Sequence, residues 1–194
     1  MDLESRREMI VRAALPLVIE HGSAVTTRQV ARAAGIGEGT IFRVFADKDE
    51  LLDACVAEAL SPDNTLDELA RVSLEQPLAA RLAEAASALH AHLDRVGAVI
   101  GALHATGGRG RSGRAAGSGT PPDREAGSRQ VREAVAELFG PERELLRLSP
   151  ERAATVFLGL LTVGFGREDP AQQTETGDLV DIFLHGALSR QIEN

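Results

Sequence analysis

The chain has 194 residues, 43% of them hydrophobic, and a formal net charge of −8, so it can bury a substantial core. Its longest apolar runs, such as Val156–Val163, fall far short of the roughly 20 residues a bilayer span needs, and Met1–Ile10 is charged rather than leader-like, which points to a cytoplasmic protein. Tryptophan and tyrosine are absent and aromatics reach only 3%, a balance that favours helices over a β-sandwich or barrel, and the lone Cys55 excludes an internal disulfide and reads as a buried thiol.

From Arg6 to Glu20 the apolar residues Ile10, Ala13, Ala14, Leu17 and Val18 recur at three and four, predicting a first helix that stops at Gly22 and is kinked by Pro16. Thr26 or Thr27 caps a second helix over Arg28–Ala34, and Gly35 ends it. A third runs from about Glu38 to Phe45, and a fourth begins near Asp47 or Lys48 and presents Leu51, Leu52, Cys55 and Val56. Ser61-Pro62-Asp63-Asn64 is a turn signal separating this unit, residues 1–60, from a helical body over 61–194. In that body the pattern predicts helices over Leu66–Leu74, Pro77–Leu93, Val96–His104, Arg129–Phe139, Pro150–Gly164 and Gly177–Ile192. A stretch at 106–128, dense in Gly, Ser, Arg and Pro, predicts a mobile loop, and its Arg-Gly-Arg-Ser-Gly-Arg run at 109–114 reads as solvated.

Residues 26–45 have the spacing of a helix-turn-helix. Two short helices that cross steeply need small side chains at their contact, which Ala31 and Ala34 supply, and the turn Gly35-Ile36-Gly37 needs glycine where φ is positive. The second helix of such a unit enters the major groove by its N-terminal end, which puts Gly37, Glu38, Gly39 and Thr40 nearest the base edges. Thr27 and Thr40 can turn hydroxyls and nearby amides towards phosphates, and the guanidinium groups of Arg28 and Arg43 suit the paired acceptors of guanine. The acidic net charge opposes phosphate binding, but the excess lies elsewhere: residues 1–48 carry seven basic groups against six acidic, the whole chain 21 against 29.

The pattern from Ile10-Val11-Arg12-Ala13-Ala14 through Gly22, Thr27, Val30-Ala31, Ala34-Gly35, Gly39-Thr40-Ile41-Phe42, Phe45, Lys48 and Leu51-Leu52 resembles the tetracycline-repressor (TetR) family over about a quarter of the chain. The resemblance implies an all-α protein: an N-terminal helix-turn-helix domain of three helices, joined through the fourth to a helical bundle for ligand binding and dimerisation. It also implies a phosphate contact for Lys48, the one lysine in the chain. Two positions depart from the family pattern. Phe42 stands where tyrosine is usual and forfeits a hydroxyl bond to phosphate, about 1 kcal/mol per half-site. Val44 replaces a polar residue and offers only an apolar contact, for instance to a thymine methyl group.

By the same resemblance, the last two long helices form a two-fold homodimer, for which Val156, Leu160, Leu161 and Gly164 make one stripe and Leu179, Val180, Phe183, Leu184 and Ala187 another. An apolar effector pocket is implied among Leu82, Leu89, Leu93, Ile100, Leu103, Phe139 and Phe157, residues that would serve equally well as plain core. His90 and His92 fall on different helix faces; of the two only His90 has an i, i+4 partner with ligand chemistry, Asp94, and they read as solvated surface; no metal site, cofactor or catalytic set is implied. The expectation is a ligand-responsive repressor that binds a palindromic operator in double-stranded DNA as a homodimer. The alternative is a small-molecule-binding helical protein with lost or weak DNA binding, and an architectural DNA binder of little sequence preference stands behind it.

Overall fold

The computed structural model describes residues 2–106, 121–165 and 175–187. These form α1 (Leu3–His21), a single 3-10 turn (Gly22–Ala24), α2 (Thr27–Ala33), α3 (Glu38–Ile41), α4 (Lys48–Leu60), α5 (Asp63–Ala70), α6 (Leu78–Ala105), α7 (Pro121–Glu137), α8 (Pro150–Phe165) and α9 (Thr176–Ala187). The fold is all-α, with a helix-turn-helix near the N-terminus and a helical bundle beyond it. Two compact units result: one holds the chain up to Ser61 and the segment beginning at Leu93, the other Pro62–His92 and the segment from Glu125 onward.

Local chemistry sets the short N-terminal helices. The Asp2 carboxylate accepts from the Ser5 amide at 2.7 Å and starts α1, which runs through Pro16 without a break. Thr26 caps α2 in a reciprocal box: its hydroxyl accepts from the Gln29 amide at 3.2 Å, and the Gln29 side chain accepts from the Thr26 amide at 2.8 Å. Gly35, at φ +67°, makes the turn. After Ile41 the α-helical ladder tightens into i to i+3 bonds, Arg43 amide to Thr40 carbonyl and Val44 amide to Ile41 carbonyl. The regular part of α3 is therefore four residues, shorter than the run to Phe45 that the apolar pattern implied. Asp47 caps α4 by accepting from the Glu50 amide at 2.8 Å.

These elements close on one core. Ile10, Ala14 and Val18 of α1 meet Val30 and Ala31 of α2, Ile41, Phe45, and Leu51, Leu52, Cys55 and Val56 of α4, with Val99 and Leu103 of α6 completing it. Each large side chain fully buried there contributes about 1.5–3 kcal/mol of transfer free energy. Burial pushes the Cys55 thiol up to about 12, and the charge of Glu58 adds to the shift, so it stays protonated and packs as a small hydrophobe.

The second core joins Leu69, Leu82, Ala85, Ala86 and Leu89 to Phe139, Phe157, Leu161, Val180 and Phe183. Phe183 is its hub, with ring centroids 5.2 Å from Phe157 in edge-on contact and 5.8 Å from Phe139. Arg81 is fully buried beside it: Nη1 donates to the Leu74 carbonyl at 3.2 Å and Nη2 to the Glu142 carboxylate, so one guanidinium ties the segment after α5 to the segment after α7.

Three boundaries in the body differ from the sequence expectation. The separate helices over Pro77–Leu93 and Val96–His104 are one 28-residue helix, α6, because the two residues between them, Asp94 and Arg95, are neither proline nor glycine and do not stop a helix. The helix placed at Leu66–Leu74 is Asp63–Ala70, and Leu74 lies exposed in the turn beyond it. Pro121–Ser128, assigned to the loop, are the first turns of α7. Residues 107–120 of that loop, including the arginine-glycine run at 109–114, lie outside the described residues, as do 188–192 of the last predicted helix.

Candidate nucleic-acid interface

The helix-turn-helix buries one face and frees the other. Val30 and Ala31 of α2 and Ile41 of α3 point into the N-terminal core, and Ile36 packs against it from the turn. The opposite face carries Arg28, Gly37, Gly39, Phe42 and Arg43 exposed, with Thr27, Glu38, Thr40 and Lys48 partly buried. Eight of these nine residues lie in or next to α2 and α3, and Lys48 is the first residue of α4. An added Cβ at Gly39 would meet nothing within 4 Å, so that backbone stands open to a close approach. The Phe42 ring is 52% exposed at the end of α3. Val44 behaves differently: it is half-buried and packs against the core rather than standing free for a base.

Three polar contacts shape this face. The Thr27 hydroxyl donates to Glu38 Oε1 at 2.6 Å, and Glu38 Oε2 lies 3.9 Å from Arg28 Nε. Lys48 Nζ donates to the Ser23 carbonyl at 2.6 Å, which fixes the lysine on the turn between α1 and α2. Behind α3, the Arg7 guanidinium lies 4.4 Å over the Phe45 ring while its Nη1 donates to Glu50 Oε1 at 3.0 Å. Glu50 Oε2 accepts from the Ala46 amide at 2.6 Å. That amide and, after it, Arg7 hold the Glu50 carboxyl below its ordinary range.

Sequence reasoning missed Arg7 and Glu50, which are 43 residues apart and joined only by the tertiary fold. It also missed the seam at Ser23. The Ser23 amide donates to Thr106 Oγ1 at 2.7 Å and its hydroxyl to the Thr106 carbonyl at 3.0 Å. Gly22, at φ +55°, allows this approach, since a Cβ there would collide with the Ala102 carbonyl oxygen and Thr106 Oγ1. The glycine itself was the available signal, though its partner on α6 had no local trace.

The residues expected to line an effector pocket separate. Leu82, Leu89, Phe139 and Phe157 are packed in the second core and Leu103 in the first, while Ile100 is half-buried and Leu93 is 43% exposed. One open groove on the second unit, of about 510 Å³, is lined by Glu68, Arg71, Val72, Ala83, Glu84, Ser87 and Ala88. Of the residues expected at a dimer interface, Leu161, Leu179, Val180 and Phe183 are buried core, Leu160 and Leu184 half-buried, and Val156 is 52% exposed. Gly164 and Ala187 lie in the last turns of α8 and α9, and their surroundings fall outside the described residues. His90 and His92 are half-buried rather than solvated. Among the described residues no group of three or more His, Cys, Asp or Glu is arranged to hold a metal, and no helix is long and apolar enough to cross a membrane.

A small helical unit with a buried inner face and a cationic, glycine-opened outer face has the form of a helix-turn-helix, and further helices follow it along the chain. Residues 10–55 match the family model of the bacterial regulatory proteins of the tetR family. The fold of the chain is similar to that of a Mesorhizobium loti protein described as a TetR-family transcriptional regulator, at a TM-score of 0.65 and 20% identity, covering 97% of this chain and 100% of that one. A tetR-family transcriptional regulator from Streptomyces coelicolor aligns at 0.59 and 22%, covering 95% and 81%. A transcriptional regulator from a Rhodococcus species aligns at 0.55 and 21%, covering 93% and 97%. At these identities the likeness is one of fold.

Proposed function

We propose that the chain is a ligand-responsive repressor in the cytoplasm that binds a palindromic operator as a homodimer, its two recognition helices α3 entering major grooves of double-stranded DNA. The observation that carries this reading is the outer face of α2 and α3. Thr27, Arg28, Gly37, Glu38, Gly39, Thr40, Phe42 and Arg43 share it, and Ile41 on the reverse is fully buried and fixes the helix to the core. Residues 1–60 serve as the DNA-binding domain and 61–194 as the regulatory and dimerisation domain.

The homodimer would form on the side of α8 and α9 that the second core leaves uncovered. Val156 is 52% and Ile182 61% exposed, and half-buried Leu160 and Leu184 extend that surface. Residues buried at the contact of α8 with α9, such as Leu161 and Phe183, would support it from behind. A small apolar effector would act by repacking the bundle around Leu82, Leu89, Phe139 and Phe157. Within the first unit, Ala102 and Thr106 of α6 meet the turn at Gly22 and Ser23, and Ser23 in turn holds Lys48.

Binding of the purified chain to a duplex from its own upstream intergenic region, against a scrambled duplex at physiological salt, tests the reading. Preference for the former at a stoichiometry of one dimer, weakened by Arg43→Ala and Thr40→Ala, is the expected result. Equal binding to every duplex would favour an architectural binder, and no binding to any duplex a ligand-binding protein without DNA function.

A further inference from the structure

We infer that Glu38 is a specificity-determining residue, a fixed carboxylate that requires an exocyclic amino group on one particular base, at one position of one strand, in the major groove of each half-site. The inference rests on the DNA-binding reading above and adds the chemistry that its operator must present. Glu38 is the sole acidic residue between Thr26 and Phe45, and it is the first residue of the recognition helix, where a negative charge faces a polyanion.

Its geometry is that of a held group. Oε1 accepts the Thr27 hydroxyl at 2.6 Å, so a side chain of α2 holds the carboxylate of a residue on α3, while exposed Arg28 Nε lies 3.9 Å from Oε2. The Glu38 side chain nevertheless remains 41% exposed, and each oxygen keeps a further lone-pair direction. An ionised carboxylate only accepts hydrogen bonds. Guanine O6 and N7, thymine O4 and adenine N7 also only accept, and a carboxylate brought against them in a dehydrated groove is left unpaired and repelled. Cytosine N4 and adenine N6 carry the donors that satisfy it, and cytosine is the better fit because no acceptor sits beside its amino group on the same base edge. The same charge weakens attachment to phosphates at every other site, which widens the gap between operator and random DNA.

The test uses a duplex that the wild-type protein selects from a random-sequence pool, with each base pair of one half-site exchanged in turn. Replacing cytosine by thymine, or adenine by guanine, exchanges the amino group for a carbonyl oxygen in nearly the same place and shows which base is read. Wild-type protein should lose about tenfold or more in affinity at one such position. Glu38→Ala should flatten the preference there while leaving the other positions unchanged, and should bind random duplex more tightly. Glu38→Gln, whose amide both donates and accepts, should tolerate either base. Thr27→Val should weaken discrimination at that same position because the carboxylate is no longer held. If Glu38→Ala keeps every wild-type preference, the carboxylate only ties α2 to α3 and the inference is overturned, while the DNA-binding reading stands. If the wild-type protein selects no duplex, both are overturned.

Discussion

Lys48 Nζ is bound to the backbone carbonyl oxygen of Ser23 at 2.6 Å, a charge-assisted bond between the first residue of α4 and the turn that joins α1 to α2. A lysine that resemblance assigns to a phosphate therefore also holds the scaffold behind the recognition helix. Lys48→Met should lower folding stability by about 1–2 kcal/mol, read in a denaturant melt, and weaken DNA binding together with it. A lysine that served DNA alone would leave the melt unchanged.

Arg81 and Glu142 form an ion pair whose cation is fully buried, so removing the acid strands a charge in the core. Glu142→Ala should destabilise the protein by about 3–5 kcal/mol, whereas Arg81→Met together with Glu142→Leu should cost far less or nothing. Thermal melts of the three proteins check this, and equal losses would contradict it.

Glu50 gives the stability a pH dependence with a definite sign. Its carboxyl titrates below the ordinary glutamate range in the folded chain, held first by the Ala46 amide and then by Arg7. The contribution is thus present above the unfolded value, about 4.3, and is lost as pH falls through the lower folded value. Because the Glu50 side chain is 41% exposed, solvent screens the effect and it should be modest. Glu50→Gln should destabilise the chain at pH 7 and narrow its gap from wild type at pH 3.

The faces of α8 and α9 separate association from folding. Val156→Glu with Ile182→Lys should give a folded monomer by sedimentation, since both side chains are exposed in the single chain. Phe183→Ala, which removes the aromatic hub, should cost about 3–5 kcal/mol in stability. A double variant that remains dimeric would move the proposed interface elsewhere.

The N-terminal domain was legible in the sequence because its signals are local. Caps at Thr26 and Asp47, the positive-φ Gly35 and the spacing of Val30, Ala31 and Ile41 each act within a few residues. The outer face of α2 and α3 followed from the same periodicity. What escaped depends on distance along the chain: Arg7 with Glu50, Ser23 with Thr106, Arg81 with Glu142. In the body, an apolar stripe does not say which neighbour covers it. Leu161 and Phe183 therefore read as surface for a second copy and are core in the single chain, while Ile182, 61% exposed, drew no attention.

The central claim, sequence-specific binding by a two-fold dimer, is tested most directly by selecting from a random-sequence duplex pool with the wild-type protein and with Arg43→Ala and Thr40→Ala. The account predicts that wild-type protein enriches one palindromic motif, with half-sites about one helical turn apart or more, and that both variants lose most of that enrichment. A pool that stays random with wild-type protein, or a motif that both variants enrich equally well, would contradict it.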